Sequence, residues 1–283
     1  MRGWLTVIKN IVSGALIGIA NIIPGVSGGT VALLLGVYEK LTESIGDFIT
    51  SSREKKIKIF KFLFQISIGV IIGILAFAKI IDLLYKNYKE GTSFLFLGLI
   101  IGSLPLVLTY RDNEKINKYG KLWFLFGLLL MISFIFLQSF YSNEKTSNDI
   151  YQLTIGYIIK LIFSGALAGG AMVIPGISGS LLLVMLGEYY NILGFINNQM
   201  IIPIAFVGIG ALIGIVGFAK IINKLLKAYR DNTLYFIIGL IVASLVEIWP
   251  GFTLTLSKGI TNIIIFLLGI YIVKLMKKLE RNT

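Results

Sequence analysis

Cysteine and histidine are both missing from these 283 residues. Without Cys there are no disulfides, thiolate nucleophiles or thiolate-held metals. Without His the chain lacks the commonest metal ligand and the side chain that titrates near neutral pH. No metal or cofactor is therefore expected, and proton chemistry must use carboxylates, lysines or the substrate itself. Charge is scarce too. Only 14% of the residues are Asp, Glu, Lys or Arg, whereas soluble domains carry about 25%. A soluble chain this long would need more polar surface to cover its core.

What is abundant is apolar. The hydrophobic share is 56% and the mean hydropathy is +0.88. Length alone would allow two soluble domains; in this composition it means several membrane spans. The first apolar segment lacks an A-x-A-like cleavage site and runs at once into a Pro-Gly turn, so it is not expected to be a cleaved signal peptide. The net charge of +12 fits nucleic acid, anionic lipid or membrane topology. In an integral membrane protein it is read as cytoplasmic loops.

The chain repeats itself. Ser13 to Tyr38 reads SGALIGIANIIPGVSGGTVALLLGVY, and Ser164 to Tyr189 reads SGALAGGAMVIPGISGSLLLVMLGEY, with 14 identities in 26 positions at an offset of 151. Phe77 to Ile81 and Phe218 to Ile222 are both Phe-Ala-Lys-Ile-Ile, and Gly98-Leu-Ile100 matches Gly239-Leu-Ile241, now at an offset of 141. The first half thus holds ten extra residues, expected in a polar loop around Ser51 to Lys61. Residues 1–150 and 151–283 are the two repeats of one membrane domain.

Each half has five apolar segments. The third, fourth and fifth approach the roughly 20 residues a spanning helix needs. They fall within about residues 60–141 and 200–278. The second is short: Gly28 to Tyr38 as a helix is about 16 Å long, half of a ~30 Å core. The first two segments of each half, 4–48 and 152–197, are accordingly read as re-entrant helical hairpins. Such breaks are tolerated where they are buried in protein or line a cavity. Each half then makes three crossings, which inverts the second half relative to the first. With the N- and C-termini in the cytoplasm, 19 of the 26 basic residues fall inside and four (Lys86, Lys89, Lys145, Lys258) outside, with Lys79, Lys160 and Lys220 in or near spans. That bias follows the positive-inside rule. The count does not separate re-entrant hairpins from pairs of full spans. The expected fold is an all-α integral membrane protein of two inverted-topology repeats, each a re-entrant hairpin plus three transmembrane helices.

Inverted repeats with broken helices are a transporter plan, with the site where the repeats meet. The two turns are Pro24-Gly25-Val26-Ser27-Gly28 and Pro175-Gly176-Ile177-Ser178-Gly179. After each turn a helix begins, with Ser27 or Ser178 placed to cap it. Two such N-termini facing one cavity would hold an anion such as phosphate. Gly29, Thr30, Ser180 and Asn21 add backbone, hydroxyl and amide groups. The same motif would also serve a merely close-packed hairpin. Because a dipole end offsets only part of the cost of burying an anion, a full positive charge should assist. Lys79 and Lys220 are the first candidates and Lys9 and Lys160 the second; snorkelling to headgroups is the alternative role for all four. Glu39 and Glu188, after the short helices, are candidates for coupling to a proton or cation.

IIPGVSGGT with GVYEKL, MVIPGISGS with GEYYNIL, the paired FAKII segments and GLIIGSLP (Gly98 to Pro105) resemble the PopT-type polyprenyl-phosphate transporters over nearly the whole chain. One departure is that Glu39 follows Tyr38, whereas Glu188 precedes Tyr189 and Tyr190 fills the matching place. The resemblance implies a substrate, undecaprenyl phosphate, returned from the outer to the inner leaflet of the cytoplasmic membrane for envelope synthesis. Its partners would be membrane lipid and this lipid phosphate, with a co-transported proton or cation if accumulation is uphill. The residues alone imply only an anion or lipid-phosphate transporter. A carrier of a small soluble anion stays open, as does a membrane-embedded undecaprenyl-diphosphate phosphatase. That enzyme family has Arg where Gly28 and Gly179 stand here, so no catalytic residue is expected.

Overall fold

In the computed structural model, residues 2–23, 26–109, 118–141, 153–251 and 256–281 are described. They form twelve helices and no strand. The first half holds α1 (Arg2–Ile22), α2 (Gly28–Leu34), α3 (Tyr38–Asp47), α4 (Arg53–Asn87), α5 (Lys89–Thr109) and α6 (Lys118–Tyr141). The second holds α7 (Ile155–Val173), α8 (Gly179–Met185), α9 (Tyr189–Asn197), α10 (Ile201–Ala228), α11 (Arg230–Ile248) and α12 (Leu256–Arg281). The order of long and short helices is the same in both.

Seven of these helices are long and apolar enough to cross a membrane. α1 and α7 are among them, so length does not by itself mark either as a half-membrane segment. The outward faces are apolar: Trp4, Leu75, Leu129, Ile201, Leu212 and Leu267 are all more than half exposed. In water such a belt would drive association; in a bilayer it faces lipid. The chain is a multi-pass membrane protein.

Glycine sets how the helices pair. α1 packs on α4 and α7 on α10. Gly14 and Gly18 of α1 lie against Ile66 and Val70 of α4, and Gly69 and Gly73 against Ile11 and Ala15 of α1; Gly165 and Gly169 of α7 lie against Val207 and Ala211 of α10, and Gly210 and Gly214 against Ile162 and Ala166 of α7. A Cβ at Gly214 would stand 1.9 Å from the Ala166 carbonyl oxygen, and one at Gly69 2.1 Å from that of Ile11. Small residues four apart let two backbones touch, which replaces the hydrophobic drive that lipid removes. The other two main pairs join the halves: α5 with α12 and α6 with α11. Gly98 and Gly269 line the first crossing, and Gly127 and Gly239 the second. α11 is the central helix, with 61% of its apolar window buried against 17% for α12.

Two expectations change. The extra residues of the first half do not form a polar loop at 51–61. α4 starts at Arg53 and has 35 residues, where α10 has 28. Arg, Glu and Lys are good helix formers, so the polar run extends the helix. The second apolar segment is also not one helix to Tyr38. It stops at Leu34, turns at Gly36 with φ 65°, and resumes as α3. Gly187, the repeat equivalent, has φ 69°, and α8 and α9 meet at 109°. Glycine takes this left-handed conformation without the Cβ clash. The break therefore lies in the sequence of both halves.

Candidate functional site

The start of α2, after the first turn, meets the second turn. Pro24 and Gly25 lie outside the described residues, but the helix that follows them does not. Thr30 Oγ1 accepts a hydrogen bond from the Gly176 N–H at 3.0 Å. Ser27 Oγ lies 3.4 Å from the Ile174 carbonyl oxygen. A Cβ on Gly29 would be 3.1 Å from the Val173 carbonyl oxygen. Gly176 has φ 87°, and a Cβ there would strike the α11 backbone at Leu240 and Ile241. Close backbone approach thus explains Gly29, while Gly176 needs both its conformation and its missing side chain.

The described residues that close the first turn and start α2 are sealed. Ser27, Gly28, Gly29 and Thr30 are all buried. The N-terminal donors of α2 are already used: Gly28 N–H by Asn21 Oδ1 at 3.1 Å, Gly29 N–H by Ser27 Oγ at 3.2 Å, and Thr30 N–H by the Ser27 carbonyl at 3.0 Å. Asn21 was expected to offer its amide to an anion; here its oxygen serves the α2 terminus. Local partners have taken the groups that an anion would need.

The second turn is open. Pro175, Gly176 and Ile177 are buried, Ser178 and Gly179 are half-buried, and Ser180 is exposed. Ser178 makes no capping bond; its hydroxyl lies 2.7 Å from that of Ser180. Two neighbouring hydroxyls at an uncapped helix start can donate to an oxyanion. Of the described turn residues read from the sequence, Ser178, Gly179 and Ser180 are the accessible ones.

The lysines and carboxylates sit apart from the turns. Lys79 and Lys220 have exposed side chains on α4 and α10. Lys220 is level with Gly46 near the end of α3, about 12 Å along that helix from Tyr38. Glu39 forms an ion pair with Arg230 at 2.7 Å. Glu188 is fully buried. Its Oε2 accepts from Tyr157 and Asn191, both at 3.0 Å, and its Oε1 lies 2.5 Å from Lys160 Nζ. Val37 occupies the repeat position of Glu188, so no such cluster stands at the matching place among the described residues of the first half. Sequence reasoning paired Lys160 with Lys9 by repeat position and missed its partner. It also missed Tyr38, which is 1% exposed and donates to the Val173 carbonyl at 3.0 Å. The Glu188–Lys160 bond could have been anticipated only from knowing that α9 folds back on the start of α7.

The chain also resembles known proteins along most of its length. A family model described as undecaprenyl phosphate translocase-like matches residues 17–264. A polyprenyl-phosphate transporter of Vibrio cholerae is 31% identical over 252 residues, covering 84% of this chain and 76% of the relative. One from Staphylococcus aureus is 31% identical over 269 residues, covering 92% of each. No solved structure matches the chain.

Proposed function

The chain belongs to the undecaprenyl phosphate translocase-like family, and on that premise we propose that it translocates polyprenyl phosphate across the membrane. The observation that carries this is identity of 31% spread over 92% of both chains. The carrier is returned from the outer to the inner leaflet of the cytoplasmic membrane, with both termini of the protein in the cytoplasm. The positive-inside count supports that orientation, and the matching helix order of the halves is consistent with inverted repeats whose α1–α2 and α7–α8 pairs are re-entrant.

In this reading the phosphate approaches the second turn. Ser178, Gly179 and Ser180 offer it hydroxyl and backbone donors, while the isoprenoid tail stays in lipid. The first-turn residues become available only when the two turns separate. Lys79 and Lys220, which stand apart from the turns in this conformation, are assigned the full positive charge that the headgroup meets on its way to them. Inward movement against an inside-negative potential costs about 2.3 kcal/mol per charge per 100 mV. Uphill accumulation therefore requires a co-transported proton or cation, and Glu39 and Glu188 are the carboxylates we assign to it. The chain is not an enzyme in this reading: Gly28 and Gly179 stand where the phosphatase has Arg, so developing phosphoryl charge would lack its partner.

The test is flipping of labelled polyprenyl phosphate in proteoliposomes. Parent protein is expected to flip it, Ser178→Ala and Lys220→Ala to flip it more slowly, and none to release inorganic phosphate from the diphosphate. Transport of a soluble anion with no lipid flipping would overturn the reading. Full activity in Ser27→Ala, Ser178→Ala and Lys220→Ala together would overturn the site assignment.

A further inference from the structure

α3 belongs to the first half but lies along α10 of the second, and its polar groups are committed there. Glu39, Glu43 and Asp47 recur every four residues and share one helix face. Glu39 pairs with Arg230 at 2.7 Å. Asp47 accepts from Asn223 Nδ2 at 3.0 Å and Lys227 Nζ at 3.1 Å. Glu43 lies 3.9 Å from the same Lys227 and 3.2 Å from Lys55. Gly46 lets the backbones touch: a Cβ there would be 2.8 Å from Lys220 Cα. Tyr38, at the head of α3, reaches the foot of the second turn through Val173.

The repeat provides a comparison inside the same molecule. α9 is the counterpart of α3, and its residues remove each of these contacts. Tyr190 stands for Glu39, Gly194 for Glu43, Asn197 for Gly46 and Asn198 for Asp47. Tyr189, the counterpart of Tyr38, packs edge-on against Tyr190 with ring centres 5.3 Å apart. α9 packs chiefly on α8 and α10 of its own half. Among the described residues, α9 therefore makes no counterpart to the ion pairs that fasten α3 to the other half. Ser27 to Thr30, on the side of the fastened helix, are buried, while Ser180 is exposed. The fastening pairs are themselves partly exposed, with side-chain exposures of 29% and 37% for Arg230 and Glu39. Water can take over their charges when they part, so the contact is reversible.

We propose that α3 is a gate. Docked on α10 and α11 by Glu39–Arg230 and Asp47–Asn223–Lys227, it seals the first turn from its own side of the membrane. Released, it opens that side, and the bound state of the second turn exchanges with it. This rests on the transport reading above. It differs from it in naming the moving element and the bonds that hold it.

The absence of native cysteine makes thiol chemistry clean. The chain with Glu43→Cys and Lys227→Cys, joined by a short cleavable bis-thiol reagent in proteoliposomes, is expected to lose flipping of labelled polyprenyl phosphate about 10-fold and regain it on reduction. Ala32→Cys reports the sealed side, because Ala32 is 0% exposed within the first-turn core. Its labelling by a membrane-impermeant maleimide is expected to rise about five-fold with Glu39→Gln or Arg230→Gln, as for a pair at the upper end of the surface range. It is expected to fall back in the charge-swapped Glu39→Arg, Arg230→Glu chain, which also shows that the single variants folded. Cross-linked protein that flips at the parental rate, or Ala32→Cys labelling that ignores the pair, would overturn the gate. If the protein carries no polyprenyl phosphate at all, the transport reading fails while the labelling still reports on α3.

Discussion

Ser27 and Ser178 hold the same place in the repeat, yet only Ser27 caps its helix. Their substitution should therefore separate stability from transport. Ser27→Ala is expected to lower stability by about 1 kcal/mol, the usual worth of a cap. Ser178→Ala is expected to leave the unfolding midpoint unchanged and to slow flipping. Thermal unfolding in detergent alongside the flipping assay reads both; a Ser178→Ala chain that unfolds earlier but flips normally would reverse the roles. Thr30→Val keeps the shape of Thr30 and leaves the Gly176 N–H without its partner, at an expected cost of about 1–3 kcal/mol.

At the level of helices, α10 carries its own control. Gly214→Ala places a methyl against the Ala166 carbonyl, whereas Gly208 has open space around its Cβ position. Gly214→Ala is expected to cost about 1–3 kcal/mol as overpacking. Gly208→Ala should be neutral or slightly stabilising, since Ala is the better helix former. The α7–α9 contact gives a second test. Lys160→Met strands the fully buried Glu188 carboxylate, whereas Glu188→Gln leaves Lys160 half exposed and able to reach water. Lys160→Met should be the more damaging change, by up to about 3–5 kcal/mol. Adding Glu188→Gln to it should restore most of the loss; failure to do so would mean that the charge pair is not what holds α9 in place.

For the molecule as a whole, the exchange of helices between halves decides what can fold alone. α6 packs on α11, and α12 packs on α5. Neither 1–150 nor 151–283 can therefore bury its glycine-lined crossing without the other. Separately expressed halves are expected to be degraded or aggregated, and co-expressed halves to assemble and co-purify. A stable, monomeric 1–150 fragment would show that the crossings between halves are dispensable.

The duplication, the membrane class and the two turns were all legible in the chain, because a repeated Pro-Gly-x-Ser-Gly and a scarcity of charge are local facts. The break after each short helix was not, because the apolar run continues through Gly36 to Tyr38 and a lone glycine in it does not reveal a left-handed turn. The partners of the charged residues were not legible. Glu39 and Arg230 are 191 residues apart, and an ion pair has no periodicity along the sequence to betray it. Repeat position named Lys160, with Lys9, as a candidate charge for an anion but gave no hint that it lies against Glu188. The sequence by itself determined that this protein has two related halves with helix starts at two small-residue turns. Only the tertiary structure decided that one turn is sealed and the other open, because that depends on which half each short helix leans against.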